Sequence, residues 1–206
     1  MSLALTAAAA TIGAAAILYV LKNKKSKPMQ TFDYESIKAT LTHADALGPV
    51  EECFAKLAAG EVNVPFPMHI GIPETPDAGP GDCHIKGGYV VGSQTFTVKM
   101  GCVSFYKNVE KGLPPGGGMF IVMSAETGAP LGVFQENRYM TDLRTGAAGA
   151  VALKHLSDPS TTPTIAFIGA GKIATDMAKS AVLVRPGFKG IAYARNGSDK
   201  FCESMT

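Results

Sequence analysis

The sequence predicts a mixed α/β chain, with an α+β body over 31–160 and the opening of a parallel sheet over 161–206. Two observations carry this reading. Four strand-like runs follow one another between His84 and Glu136, with helical patterns on either side. Beyond the polar, Pro-bearing boundary Asp158–Pro163, a continuous apolar run leads through glycines into a further helix, the order of a buried parallel strand and its crossover. A third observation sets residues 1–30 apart as a hydrophobic helix with a basic tail.

Ser2–Leu21 carries no charge and is rich in Ala, Leu and Ile. About 20 helical residues match the roughly 30 Å hydrocarbon core of a bilayer. Lys22, Lys24, Lys25 and Lys27 follow the apolar run, whereas a secretory signal places its charge before it. The positive-inside rule then favours a membrane anchor with the folded domain facing the cytoplasm. An organelle-targeting segment or an extension that never inserts are the alternatives, and the lack of Arg counts against a mitochondrial presequence.

In the body, Asp33–Thr42 and Ala46–Ala59 read as helices, the second with Val50, Cys53, Phe54 and Leu57 on one core-facing stripe. Val62–Gly71 is a short run broken by Pro65 and Pro67, and Pro73–Gly81 reads as a loop. The strands follow as His84–Val91, Phe96–Phe105, Gly118–Ser124 and Leu131–Glu136, the last two joined by the turn Glu126-Thr127-Gly128. Along the second strand, Phe96, Val98, Met100 and Cys102 share one face, and Lys99 lies on the other beside Thr97 and Gly101. Periodicity leaves open whether Lys99 is a solvated outer position or a group aimed into a cleft.

Thr141–Leu156 is the next helix, with Thr141 as its expected N-cap and Asp142 suited to the positive end of the dipole. Arg144 sits at the wrong end for a cation. An anion bound there explains it, because free amides, guanidinium and the Thr145 hydroxyl would converge on a carboxylate or phosphate. The alternative is an ion pair of Arg144 with Asp142 or Glu136. The small run Gly146–Ala150 permits close packing of another element.

Thr164–Ile168 then leads into Gly169-Ala170-Gly171-Lys172-Ile173-Ala174 and a helix to about Val184. This is G-x-G-x-x-A in its strand–turn–helix context, the fingerprint of a Rossmann-type dinucleotide site. Gly169 makes the tight turn, Gly171 lets backbone approach the pyrophosphate, and Ala174 lets helix and strand pack closely. The next strand, Gly190–Ala194, ends in Arg195-Asn196-Gly197-Ser198, with no carboxylate until Asp199. A guanidinium there suits a 2′-phosphate and favours NADP over NAD, although Asp199 could bend back.

Composition removes other classes. The net charge is +2 and the four tail lysines supply +4, so the remainder, at about −2, offers no basic surface for nucleic acid. The four cysteines lack C-x-x-C spacing and the four histidines lack paired ligand spacing, so neither a disulfide framework nor a metal site is expected. No G-x-S-x-G is present, which leaves an esterase without support.

Several segments resemble one family. Met140-Thr141-Asp142-Leu143-Arg144-Thr145-Gly146-Ala147-Ala148-Gly149-Ala150 is similar to the "LTxxRTAAAGA" helix of the ornithine cyclodeaminase/mu-crystallin family. Gly112-Leu113-Pro114-Pro115, the Glu126-Thr127-Gly128 turn and Phe167-Ile168-Gly169-Ala170-Gly171 fall in that family's order. His84-Ile85-Lys86-Gly87-Gly88-Tyr89, Val98-Lys99 and Phe105-Tyr106-Lys107-Asn108 look like its substrate-domain strands. The resemblance runs from about Asp33 to the end.

It implies a homodimer, joined through the substrate domain, of an NAD(P)-dependent enzyme acting on an amino or imino acid. Lys99 would lie against the substrate carboxylate and carbonyl carbon as the catalytic group. Arg144 would clamp the carboxylate, with His69 and Lys86 as further substrate contacts. Thr145 would lie near the cofactor phosphates, which Gly169, Gly171, Lys172, Ile173 and Ala174 cradle, and Arg195 and Asn196 would meet the ribose side. Many members carry Pro-Met-Arg where this chain has Pro67-Met68-His69, which weakens the clamp. Only 37 residues follow Gly169, about one βαβ unit, so the family's acid/base aspartate is expected beyond Thr206 and the nucleotide domain reads as incomplete. A non-catalytic NADP(H) or ligand-binding protein, or an inactive truncated product, are the competing expectations.

Overall fold

The structure is a computed structural model that describes residues 28–205. The expected hydrophobic helix at Ser2–Leu21 lies outside the described residues, among which no helix is long and apolar enough to cross a membrane. The chain divides into two units. One joins the described residues up to Leu41 with Cys53–Met140, and the other joins Thr42–Glu52 with the residues from Thr141 onward.

The first unit is a seven-stranded sheet. β1 (Gln30–Phe32), β2 (Val62–Asn63), β3 (Met68–Ile72), β4 (Gly81–Val90), β5 (Thr95–Val103), β6 (Gly117–Ser124) and β7 (Pro130–Phe134) run in the order β1-β7-β6-β5-β4-β2. β3 also pairs with β4, against the end opposite β2. All pairings are antiparallel except β1 with β7. Two elements here had no clear signal. β1 is three residues long and pairs parallel with β7, and β3 follows directly on Pro67, where the prolines read as a break. The helix α1 (Tyr34–Thr40) starts where expected, because the Asp33 carboxylate accepts from the Ser36 amide at 2.8 Å.

The faces of the sheet invert the simplest reading of β5. Thr95, Thr97 and Lys99 are buried, together with Phe120, Val122 and Phe134 of β6 and β7, while Phe96, Val98 and Met100 on the apolar face are only half-buried. Lys99 is therefore an inside residue, not a solvated outer one.

α2 (His43–Ala58), whose residues up to Glu52 belong to the second unit, begins three residues before the expected Ala46, because the Thr42 amide and hydroxyl both donate to Asp45 Oδ2. α3 (Lys107–Glu110) is a single turn in the first unit. α4 (Tyr139–Leu156) also starts early, which corrects the expected N-cap: Thr141 lies inside the first turn, after Asn137 and Arg138 at positive φ. The parallel pair β8 (Thr164–Ile168) and β9 (Lys189–Tyr193) is connected by α5 (Lys172–Val184), and α6 (Ser198–Met205) follows. Phe167, Ala178 and Phe201 form its core, with Ile165, Ala174, Met177 and Ala192 packed around them. β8 was expected to be buried on both faces. Only the Phe167 face is, and Ile168 is 90% exposed, since the described helices α5 and α6 cover one side of a two-stranded sheet.

Candidate functional site

Strand register brings the predicted residues of the first unit onto one face. Lys99 on β5 is the Cα partner of Lys86 on β4 and of Phe120 on β6. Two residues along, Gly101 pairs with His84 and with Gly118, and His84 pairs with His69 of β3. Residues two apart on a strand share a face, and so do registered partners. His69, His84, Gly101 and Gly118 thus form one row across four strands, and Lys86, Lys99 and Phe120 form the row beside it.

The two glycines shape this floor. A Cβ at Gly101 would lie 3.2 Å from Lys99 Cε and 3.5 Å from its Nζ, so the lysine chain folds back over position 101. A Cβ at Gly118 would lie 2.6 Å from the Met100 carbonyl and 3.4 Å from Glu136 Oε1. Across the space left by the missing side chains, Lys99 Nζ stands 3.9 Å from Glu136 Oε1 and 5.5 Å from the Phe120 ring centroid. Lys99 is 9% exposed and Glu136 is fully buried. Lys99 is thus a desolvated ammonium beside a buried carboxylate and an aromatic face. At the β3 end, His69 Nε2 meets Asp82 Oδ1 at 2.7 Å, and the His69 and His84 rings lie 5.0 Å apart.

The second unit holds the other predicted residues. Arg144 is 9% exposed on α4, and the Thr145 hydroxyl donates to the Thr141 carbonyl at 2.7 Å, leaving its oxygen able to accept. Gly146 lets α5 approach α4, since a Cβ there would meet the Asp176 carbonyl at 2.4 Å, as the small run implied. Gly169 turns the chain at φ +115°, where only glycine is at ease, and Gly171 stands as the N-cap of α5 with open space around its missing Cβ. Ala174 packs into the Phe167 core. Lys172 does not stand open beside Ile173: its Nζ meets Asp176 Oδ2 at 2.6 Å, and the other Asp176 oxygen meets His43 Nε2 at 2.9 Å. Arg195 and Asn196 are exposed in the turn after β9, and Asp199 falls in the first turn of α6.

Sequence reasoning missed Asp82, the place of His84 on this face, Glu136 as the neighbour of Lys99, and the His43–Asp176 pair. The alternation Asp82-x-His84-x-Lys86 was the available signal for the first two, because it puts three polar groups on one strand face. The others depend on contacts across strands and helices. Among the described residues, no group of three His, Cys, Asp or Glu side chains is set to hold a metal.

Residues 28–194 match the profile of the ornithine cyclodeaminase/mu-crystallin family. An uncharacterized cyclodeaminase of Sinorhizobium fredii is 34% identical over 153 residues, covering 74% of this chain and 44% of the relative. The Thermococcus litoralis Δ1-pyrroline-2-carboxylate reductase, solved in complex with NADH and L-proline, matches at 27% identity. Its TM-score is 0.73, over 86% of this chain and 53% of that one. An archaeal alanine dehydrogenase dimer with bound NAD has a TM-score of 0.73 at 25% identity, over 85% of this chain and 52% of that one. The chain therefore spans about half the length of the proteins it matches.

Proposed function

Because the chain belongs to the ornithine cyclodeaminase/mu-crystallin family, we propose that it serves an NAD(P)-dependent reaction on a small amino or imino acid. The reaction is cyclodeamination of ornithine to proline, or reduction of an imine. The observation that carries this reading is Lys99, a buried ammonium on a floor cleared by Gly101 and Gly118 and held 3.9 Å from Glu136. We assign it the catalytic role, since a preorganised cation in a dry site stabilises charge that develops on the reacting group. His69 and Lys86 on the same face, and Arg144 at the head of α4, are assigned to the substrate carboxylate.

The nicotinamide cofactor supplies or accepts hydride when bound. The open backbone at Gly171 and the turn at Gly169 fit its pyrophosphate, with Lys172, Ile173 and Ala174 opening the helix and Thr145 assigned to the phosphates. Arg195 and Asn196 favour NADP over NAD. On this reading 31–160 is the substrate and dimerisation domain and 161–206 belongs to the nucleotide domain. The partner is a second copy, as in the alanine dehydrogenase dimer. The anchor at Ser2–Leu21, with the body in the cytoplasm, rests on sequence, and loss of membrane sedimentation on deleting those residues is its expected outcome.

The test is consumption of NADPH with Δ1-pyrroline-2-carboxylate. Turnover is expected, and Lys99→Met is expected to lower kcat/KM about a hundredfold, the scale of losing one preorganised charge. NADPH binding with no turnover on any cyclic imine or diamino acid would replace the enzyme reading with that of a binding protein.

A further inference from the structure

The His69–Asp82 contact reaches beyond those assignments, though it rests on the reading of this face as a carboxylate site. His69 is half-exposed on β3, and its Nε2 is taken by Asp82 Oδ1 at 2.7 Å. Asp82, on β4, lies on the same face as His84, Lys86 and Lys99 by strand alternation and register. A carboxylate accepts hydrogen bonds, so the nitrogen facing Asp82 carries a proton. A neutral imidazole has only one N–H. With Nε2 committed to Asp82, Nδ1 is a bare acceptor in the neutral ring and becomes a donor only when the ring is charged. An arginine at this position would donate at every pH.

We propose that His69, oriented by Asp82, is a proton-gated anchor for the carboxylate of an amino or imino acid bound on the Lys99 face. The ligand carboxylate accepts from Nδ1–H of the charged ring, so a proton is taken up with the ligand whenever free His69 is neutral. When the ring loses that proton, Nδ1 presents a lone pair to the carboxylate and binding weakens. The other titratable or charged groups on this face are Asp82, His84 and Lys86 of β4, Lys99 of β5, and Glu136 beside Gly118. Of these only His84 is a second imidazole, so it is the necessary control.

The experiment is calorimetric titration of L-proline into the full chain at pH 6 and pH 8.5, in two buffers of different ionisation heat that report proton uptake. Affinity is expected to fall about tenfold from pH 6 to pH 8.5, with net proton uptake at the higher pH. In His69→Arg both the fall and the uptake are expected to vanish while affinity at pH 8.5 recovers. In His69→Gln affinity is expected to be low at both pH values. Asp82→Asn is expected to weaken binding at pH 6 several-fold, and His84→Gln to keep the pH dependence. Melting curves of each variant separate loss of the contact from loss of the fold. Binding without proton uptake, or uptake that survives in His69→Arg or disappears in His84→Gln, would overturn the gate and leave the carboxylate site standing. No L-proline binding at either pH would overturn the reading of the face itself, and the gate with it.

Discussion

At Lys99, an ammonium is buried against one carboxylate, one aromatic ring and the space of two absent side chains. Each contribution has its own test. Gly101→Val would place branched carbons where the lysine chain now lies, and the chain must leave the floor. The expected outcome is loss of substrate binding with a melting point lowered by an overpacking cost of about 1–3 kcal/mol. Glu136→Ala would remove the fully buried carboxylate 3.9 Å from that ammonium. Removing one partner of a buried pair costs about 3 kcal/mol or more, so this variant is expected to melt well below the parent. At this scale the sequence was half legible. Alternation placed Lys99 opposite Phe96 and Met100, but whether that face was wet or dry depends on what packs over four strands. Gly101 and Gly118 looked like ordinary strand glycines until register showed the side chains lying over them. The exposed turn at Arg195 and Asn196 was read from local chemistry alone, and its role remains tied to the NADP proposal.

Among the elements, those with strong local signals were found to within a few residues. These are β4 to β7, α2, α4, β8 and α5. The errors have local causes. Thr141 looked like an N-cap, but Asn137 and Arg138 at positive φ turn the chain earlier and the Tyr139 amide donates to the Glu136 carbonyl. The short helices α3 and α6 are too brief for a periodic pattern. A clip between α2 and α4 in the second unit was also invisible in sequence: Lys154 donates to both Glu51 oxygens at 2.9 and 2.8 Å, and His155 meets the same carboxylate. The Lys154 and His155 bonds hold the Glu51 carboxyl below its usual range. A depressed carboxyl contributes stability above its unfolded value, near 4.5, and that contribution is lost as pH falls through the lower folded value. Glu51→Gln is therefore expected to melt lower than the parent at neutral pH, with the gap closing on acidification. Parallel melting curves at pH 7 and in strong acid check it, and a gap that widens in acid would contradict it.

At the scale of the whole molecule, both sheets leave apolar surface open. On the first, Met68 and Ile70 are exposed and point away from the face that carries His69, beside half-buried Met100 and Ile85. On the second, Ile168, Ile191 and Tyr193 are exposed together. The first surface suits the proposed second copy, because apolar faces of this kind mark association sites. Met68→Asp with Ile70→Asp is expected to shift the chain from dimer to monomer in sedimentation. A parent that sediments as a monomer would remove the dimer proposal. The order of strands and helices along the chain was readable from hydrophobic period and punctuation. Which faces are covered was not, because covering is a property of distant segments.

The Gly169–Ala174 turn is proposed to hold a nicotinamide dinucleotide for chemistry on an amino or imino acid. Calorimetric titration of NADPH into the full chain, with Gly171→Val alongside, tests it most directly. Nothing lies within 4 Å of a Cβ at Gly171, so that variant is expected to fold with little change in melting point while its side chain blocks the pyrophosphate. Saturable binding by the parent and none by the variant are expected. A parent that binds neither NADPH nor NADH, or a variant that binds as tightly as the parent, would contradict it.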